Sequence, residues 1–96
     1  MNLSTFKATL SETTPPADLS IALQSLWQDA QGKWAAAHKL VQSCEGQGDC
    51  DWVHAYLHRK EGDLNNAGHW YRRAAKPMPS DSLESEWEAI AQALLA

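Results

Sequence analysis

A repeat with a period of 30 residues is the feature that most constrains how this chain folds. When the sequence is shifted by 30 positions, Gly32 falls on Gly62 and Ala37 falls on Ala67. Each unit is predicted to form a helix, a glycine turn and a second helix, because glycine ends a helix by adopting positive φ. A period of about 20–50 residues is typical of stacked helical hairpins. The repeat therefore predicts two such hairpins.

Apolar residues recur at helical spacing within each unit, three and four positions apart. This periodicity predicts helices over residues 22–31, 34–43, 52–61 and 65–76. Asp63 is placed to cap the helix that follows Gly62, whereas the equivalent Lys33 offers no acceptor. The two hairpins are assigned to residues 19–46 and 50–76.

Amphipathic segments flank the two hairpins. A C-terminal helix is predicted over residues 80–96, after Pro77 and Pro79 and with Ser80 or Ser82 as its cap. Residues 1–16 form an N-terminal segment with one or two helical turns. Because two hairpins leave apolar faces open, we expect these segments to cover them. The sequence thus predicts one all-α domain spanning residues 1–96.

The charge and composition exclude several classes of function. The net charge is −4, which argues against nucleic acid as a partner because phosphate binding requires clustered Lys and Arg. No apolar run reaches the 18 or so residues of a membrane span, so no membrane association is expected. Cys44 and Cys50 do not constitute a disulfide framework and are expected to be reduced thiols. These features together predict a cytoplasmic protein.

The second unit resembles the second half of a tetratricopeptide repeat. Gly62, Ala67, Tyr71, Ala74 and Pro79 match that motif in type and spacing. The first helices depart from it, because they carry polar side chains where the family has apolar ones; these are Gln24, Gln28, His54 and His58. The resemblance implies a tetratricopeptide-like helical-repeat fold. The segment 52–74 also resembles small bacterial proteins that have no assigned activity, which implies a bacterial cytoplasmic setting.

Histidines occupy one face of the first helix in the second unit. His54 and His58 lie one turn apart, with Asp51 before them and Glu61 after them at helical spacing. Histidines so placed can bind a transition metal or a small anion, and His38 could join them from the first hairpin. This alternative site comprises His38, His54, His58 and Glu61. The competing interpretation is that these histidines bond only to helix ends or to neighbouring carboxylates.

A basic stretch gives the leading functional hypothesis. Residues 51–76 carry five basic against three acidic side chains, although the whole chain is acidic. Arginine beside tryptophan is typical of interaction hot spots. We therefore predict a protein-binding module for an acidic or C-terminal peptide segment, with these contact residues: Trp52, Tyr56, Arg59, Lys60, Trp70, Arg72 and Arg73.

An internal role for the same residues stays open at this point. Trp70 would then pack under the C-terminal helix, and the arginine pair would bond Glu84, Glu86 or Glu88. No spacing of Ser, Cys, His and Asp indicates nucleophilic catalysis, so the chain is not expected to be an enzyme or to need a cofactor. It is expected to be a monomer or a homodimer.

Overall fold

The fold is all-α, as the sequence predicts. A computed structural model describes residues 1–96 and contains six α-helices and one 3₁₀ turn, with no strand. The helices are α1 (Leu3–Ala8), α2 (Ile21–Ala30), α3 (Trp34–Gln42), α4 (Gly48–Lys60), α5 (Leu64–Ala74) and α6 (Leu83–Leu95), and the 3₁₀ turn Thr9–Ser11 follows α1. None of these helices has the length and apolar character needed to cross a membrane.

The glycine turns lie where the repeat predicts them. Helix α2 packs on α3, α4 packs on α5, and α3 also contacts α4. Gly32 and Gly62 adopt φ values of +78° and +86°, which is the left-handed region that glycine tolerates best. Asp63 Oδ1 accepts a hydrogen bond of 3.3 Å from the backbone N–H of Asn66, whereas Lys33 makes no side-chain cap. The cap prediction is confirmed for Asp63.

Helix α4 begins earlier than the sequence pattern indicates. It starts at Gly48 rather than at residue 52. Asp49 and Asp51 lie in its first turn, where carboxylates interact favourably with the helix dipole. The Asp51 carboxylate is buried and accepts a 3.1 Å hydrogen bond from the backbone N–H of Gly46. The extra first turn of α4 therefore shortens the loop from α3, and Asp51 bonds to the backbone of that loop.

The prediction of reduced thiols is wrong, because Cys44 and Cys50 form a disulfide. Cys44 follows the end of α3, and Cys50 lies in the extra first turn of α4. Their Cα atoms are 6.0 Å apart, within the range that a disulfide spans. Disulfides persist mainly in oxidising compartments, so the thiol argument for a cytoplasmic location no longer holds.

The terminal segments pack on one another as well as on the hairpins. The rings of Phe6 in α1 and Trp87 in α6 stack with centroids 5.7 Å apart. Lys7 Nζ lies 2.5 Å from the Glu88 carboxylate, and Trp87 Nε1 donates to the Leu26 carbonyl at 3.0 Å. Helix α6 also contacts α2 and α4. The two segments thus extend one shared core instead of covering opposite ends of the stack.

Candidate metal centre

Three histidine side chains from two helices meet at the boundary between the hairpins. His38 comes from α3, and His54 and His58 come from successive turns of α4. Their ring centroids form a nearly equilateral triangle with sides of 4.8 Å, 5.0 Å and 4.9 Å. One nitrogen from each ring lies within 4.8 Å of the others. We call His38, His54 and His58 the histidine cluster.

Two of these rings are in direct polar contact. His38 Nε2 lies 3.1 Å from His54 Nε2, so one ring donates N–H to the lone pair of the other. Burial, followed by the neighbouring His58, lowers the pKa of both side chains, and the pKa of His54 falls to about 3. Both rings are therefore neutral at pH 7. A neutral imidazole is the form that binds a metal ion.

Glu61 orients the third ring. Its Oε1 lies 2.7 Å from His58 Nδ1, which places the Nδ1 proton in that contact and leaves Nε2 as the acceptor. The Asn66 amide is 3.4 Å from that Nε2. A metal-binding imidazole usually donates its other ring N–H to a carboxylate, which fixes the orientation of the ring. Glu61 fits this role better than the ligand role that the sequence suggests.

Tryptophans cover the histidine cluster on two sides. Trp34 stacks on His38 with ring centroids 4.8 Å apart, and Trp70 stacks on His54 at 3.9 Å. Trp34 also donates from Nε1 to the Leu57 carbonyl at 2.9 Å, which fixes its ring against α4. These contacts restrict the rotation of two of the three imidazoles. His54 is 2% exposed as a result.

One atom of the histidine cluster is unsatisfied. His54 Nδ1 is the only buried side-chain nitrogen or oxygen in the molecule that has no hydrogen-bond partner. Leaving such an atom unpaired costs about 1–3 kcal/mol, so an orphan of this kind calls for an explanation. His54 faces His38 through Nε2, so the unpaired atom is the other nitrogen of the same ring.

The size of the site restricts what it can hold. The molecule has three surface cavities, and none of them is lined by a member of the histidine cluster. A small organic molecule consequently finds no room among the rings. A single ion needs only the space between the ring nitrogens, which lie no more than 4.8 Å apart.

The predicted partner-binding residues do not share one surface. Three of those on α4 are engaged in contacts with acidic side chains: Tyr56 Oη donates to Asp29 at 3.2 Å, Lys60 Nζ pairs with Asp29 at 2.9 Å, and Arg59 pairs with Glu86 at 2.9 Å. Tyr56 is buried, and burial followed by the Asp29 charge raises the pKa of its phenol. These side chains stabilise the packing of α4 on α2 and α6.

The remaining residues of that prediction lie elsewhere. Trp52 is half-buried, and Lys76 Nζ is 4.4 Å from the centroid of its ring. Arg73 lies 4.8 Å from the Trp70 ring, and Arg72 is exposed. The alternative in which Trp70 packs under the C-terminal helix is wrong, because its ring packs on His54 of α4. It is Arg59, and neither Arg72 nor Arg73, that pairs with Glu86.

Two residues that contact the histidine cluster were not predicted from the sequence. Trp34 precedes His38 by one helical turn, and this spacing is a signal that the two rings share a face. Asn66 approaches His58 only because the turn at Gly62 folds α5 back along α4, and no local pattern indicates that contact.

Comparison of the chain with protein-family models, with curated proteins and with solved structures finds no match.

Proposed function

We propose that this protein binds a divalent transition-metal ion through His38, His54 and His58. The observation that carries the proposal is the convergence of three imidazoles from two helices, with one nitrogen of each ring within 4.8 Å of the others. In a tetrahedral zinc site with bonds of about 2.0–2.1 Å, two ligand nitrogens are about 3.3 Å apart. The 3.1 Å between His38 Nε2 and His54 Nε2 is close to that value.

The third nitrogen needs only a small adjustment. Since the three ligand atoms all lie within 4.8 Å, an inward movement of at most about 1.5 Å completes the triad. His38 is half-exposed, whereas the other two rings are buried, so the ion enters and leaves on the His38 side. Glu61 holds the ring of His58 in place during this movement.

The donor set favours particular metals. Imidazole nitrogen suits Zn²⁺, Ni²⁺, Co²⁺ and Cu²⁺, whereas Ca²⁺ and Mg²⁺ require several oxygen ligands. Both cysteines are held in the disulfide and offer no thiolate. The proposed ion is therefore a borderline transition metal with nitrogen ligands.

Calorimetric titration of chelator-treated protein with Zn²⁺ at pH 7.5 tests the proposal. We expect one ion per chain. The variant His38→Gln should bind at least about tenfold more weakly, because even the loss of a group that only orients a ligand costs that much. His69→Gln is the matched control, since His69 is exposed and lies outside the histidine cluster. Equal affinity for Zn²⁺ in wild type and His38→Gln would refute the proposal.

A second candidate function rests on the unpaired basic end of α5. Arg72, Arg73 and Lys76 are exposed, and no carboxylate pairs with any of them. We propose that Arg72, Arg73 and Trp52 from the predicted surface, together with Lys76, would receive an acidic peptide segment. Fluorescence anisotropy with a labelled acidic peptide, bearing a free or an amidated C-terminus, tests it. Arg72→Glu/Arg73→Glu should abolish the rise in anisotropy that marks peptide binding. The control variant Lys33→Glu/Lys39→Glu changes the net charge equally at two other exposed residues and should retain more of that rise.

A further inference from the structure

We propose that the Cys44–Cys50 disulfide sets the metal affinity of the histidine cluster, so that its reduction weakens binding. This inference rests on the proposed function. The disulfide closes the connection between α3 and α4, which are the two helices that supply the ligands. His38 must come from one helix and His54 from the other, so the site exists only while the two helices keep their spacing.

Helices α3 and α4 are joined at two places, with the histidines between them. At one end the disulfide links Cys44, after α3, to Cys50 in the first turn of α4. At the other end Trp34 Nε1 donates to the Leu57 carbonyl at 2.9 Å. His38 lies between Trp34 and Cys44 along the chain, and it faces His54. Loss of the disulfide removes one of the two restraints.

Few other side-chain bonds hold these helices together. The only side-chain hydrogen bonds between α3 and α4 are the Trp34–Leu57 bond and the His38–His54 contact itself. The disulfide is the single covalent tie, and both of its cysteines are buried. Metal affinity falls when the ligands are held less firmly near the productive geometry. Without the disulfide, the end of α3 that follows His38 is held to α4 by apolar packing, in which Val41 shares one core with Val53 and Leu57. We therefore expect reduction to weaken the site without separating the helices.

The redox step is a thiol–disulfide exchange. A dithiol reductant donates two electrons and two protons, the Cys44–Cys50 S–S bond breaks, and each cysteine becomes a thiol. The reductant is oxidised to its own disulfide. Thermodynamic linkage makes the effect reciprocal: if the disulfide raises metal affinity, bound metal must make the disulfide harder to reduce by the same factor.

Zinc affinity measured in three states of the protein tests this coupling. Competition with a chromophoric chelator at pH 7.5 gives the affinity of oxidised wild type, of wild type reduced and freed of reductant under nitrogen, and of Cys44→Ser/Cys50→Ser. We expect the last two to bind Zn²⁺ about tenfold more weakly than the oxidised protein. Because the serine variant has no thiolates, it shows whether zinc binding by the reduced cysteines affects the comparison between oxidised and reduced protein. Circular dichroism establishes that its helices persist.

A redox titration of the wild type provides a test that needs no cysteine variant. In glutathione buffers, saturating Zn²⁺ should shift the disulfide midpoint to more reducing potential by about 30 mV, which corresponds to a tenfold coupling. His38→Gln, measured with and without Zn²⁺, corrects for any binding of the metal by glutathione. Its midpoint should not move.

The outcomes separate the two proposals. If oxidised and disulfide-free protein bind Zn²⁺ equally, and the midpoint does not shift, the coupling is refuted and the metal site stands. If the oxidised protein binds no Zn²⁺ at all, the metal site is refuted and the coupling falls with it.

Discussion

The indole of Trp70 lies flat against the imidazole of His54, with ring centroids 3.9 Å apart and planes inclined by 16°. Because its ring is buried in this contact, Trp70 has little surface left for the partner-binding role that the neighbouring arginines suggest in the sequence. It also removes water from one face of the histidine. The stack connects α5 to the histidine cluster, although α5 contributes no histidine to it.

The metal-free protein should lose stability as the pH falls through the range in which an exposed histidine protonates. The pKa of His54 is about 3, lowered from an ordinary 6.5 by burial and then by electrostatic interaction with His58 and His38, with Arg73 and His69 on α5 acting in the same direction. Between these two values the unfolded chain binds a proton that the folded chain does not. The free energy of unfolding therefore decreases on acidification, by about 2.5 kcal/mol between pH 7 and pH 4.5.

Urea unfolding at several pH values measures this effect. His54→Gln removes the titrating ring, so its unfolding free energy should fall less steeply over the same range. Buried carboxylates add an acid-dependent contribution that is common to both proteins, so the difference between the two curves isolates His54. Parallel curves for wild type and variant would contradict the assignment of a neutral buried imidazole.

Removal of the disulfide should destabilise the fold without unfolding it. The cysteines are six residues apart, and closing so short a loop restricts the unfolded chain enough to stabilise the native state by about 2 kcal/mol. Cys44→Ala/Cys50→Ala should lower the free energy of unfolding by that amount in urea. An unchanged urea midpoint would show that the disulfide does not constrain the unfolded chain.

Two glycine substitutions should have opposite effects. Gly62 has φ of +86°, so Gly62→Ala places a Cβ in the left-handed region and should cost about 1–2 kcal/mol. Gly68 lies inside α5, where an added Cβ would meet only ordinary contacts with Arg72 and Met78. Gly68→Ala should stabilise the protein by up to about 1 kcal/mol. Thermal unfolding of both variants measures the two changes in stability. If Gly62→Ala stabilised the protein as Gly68→Ala is expected to do, the result would argue against the turn geometry.

Glu86 should be much more sensitive to substitution than an exposed glutamate of the same helix. It is buried in α6, where it pairs with Arg59 at 2.9 Å and accepts from the Tyr71 hydroxyl at 2.5 Å. Glu86→Ala leaves the arginine without its carboxylate partner and should cost about 3 kcal/mol. Glu84→Ala, at an exposed position of the same helix, should change the urea midpoint little. Similar losses for the two variants would contradict this ranking.

The helices could be predicted from the sequence because their signals are local. Glycine at residues 32 and 62, apolar spacing and the Asp63 cap each depend on a few neighbouring residues. The start of α4 was harder to place, since its first turn is polar and lacks an apolar stripe. The disulfide depends on that start, because only the extra turn brings Cys50 opposite Cys44.

The site could be predicted only in part. One helix carries His54 and His58, so their common face follows from helical spacing. His38 belongs to another helix, and its 3.1 Å contact with His54 depends on how the hairpins stack. The basic residues show the opposite case: their local clustering suggests a free surface, but Arg59 and Lys60 pair with carboxylates that are 27 and 31 residues away.

An anomalous-scattering experiment on crystals grown with Zn²⁺ tests the central claim most directly. Data collected at the zinc absorption edge should show one strong peak among the three rings, with a nitrogen of His38, His54 and His58 each about 2.0–2.1 Å from the ion. A map with no peak there, or with zinc bound only by the exposed carboxylates of Glu61 and Asp63, would contradict the claim that this histidine cluster is a metal centre.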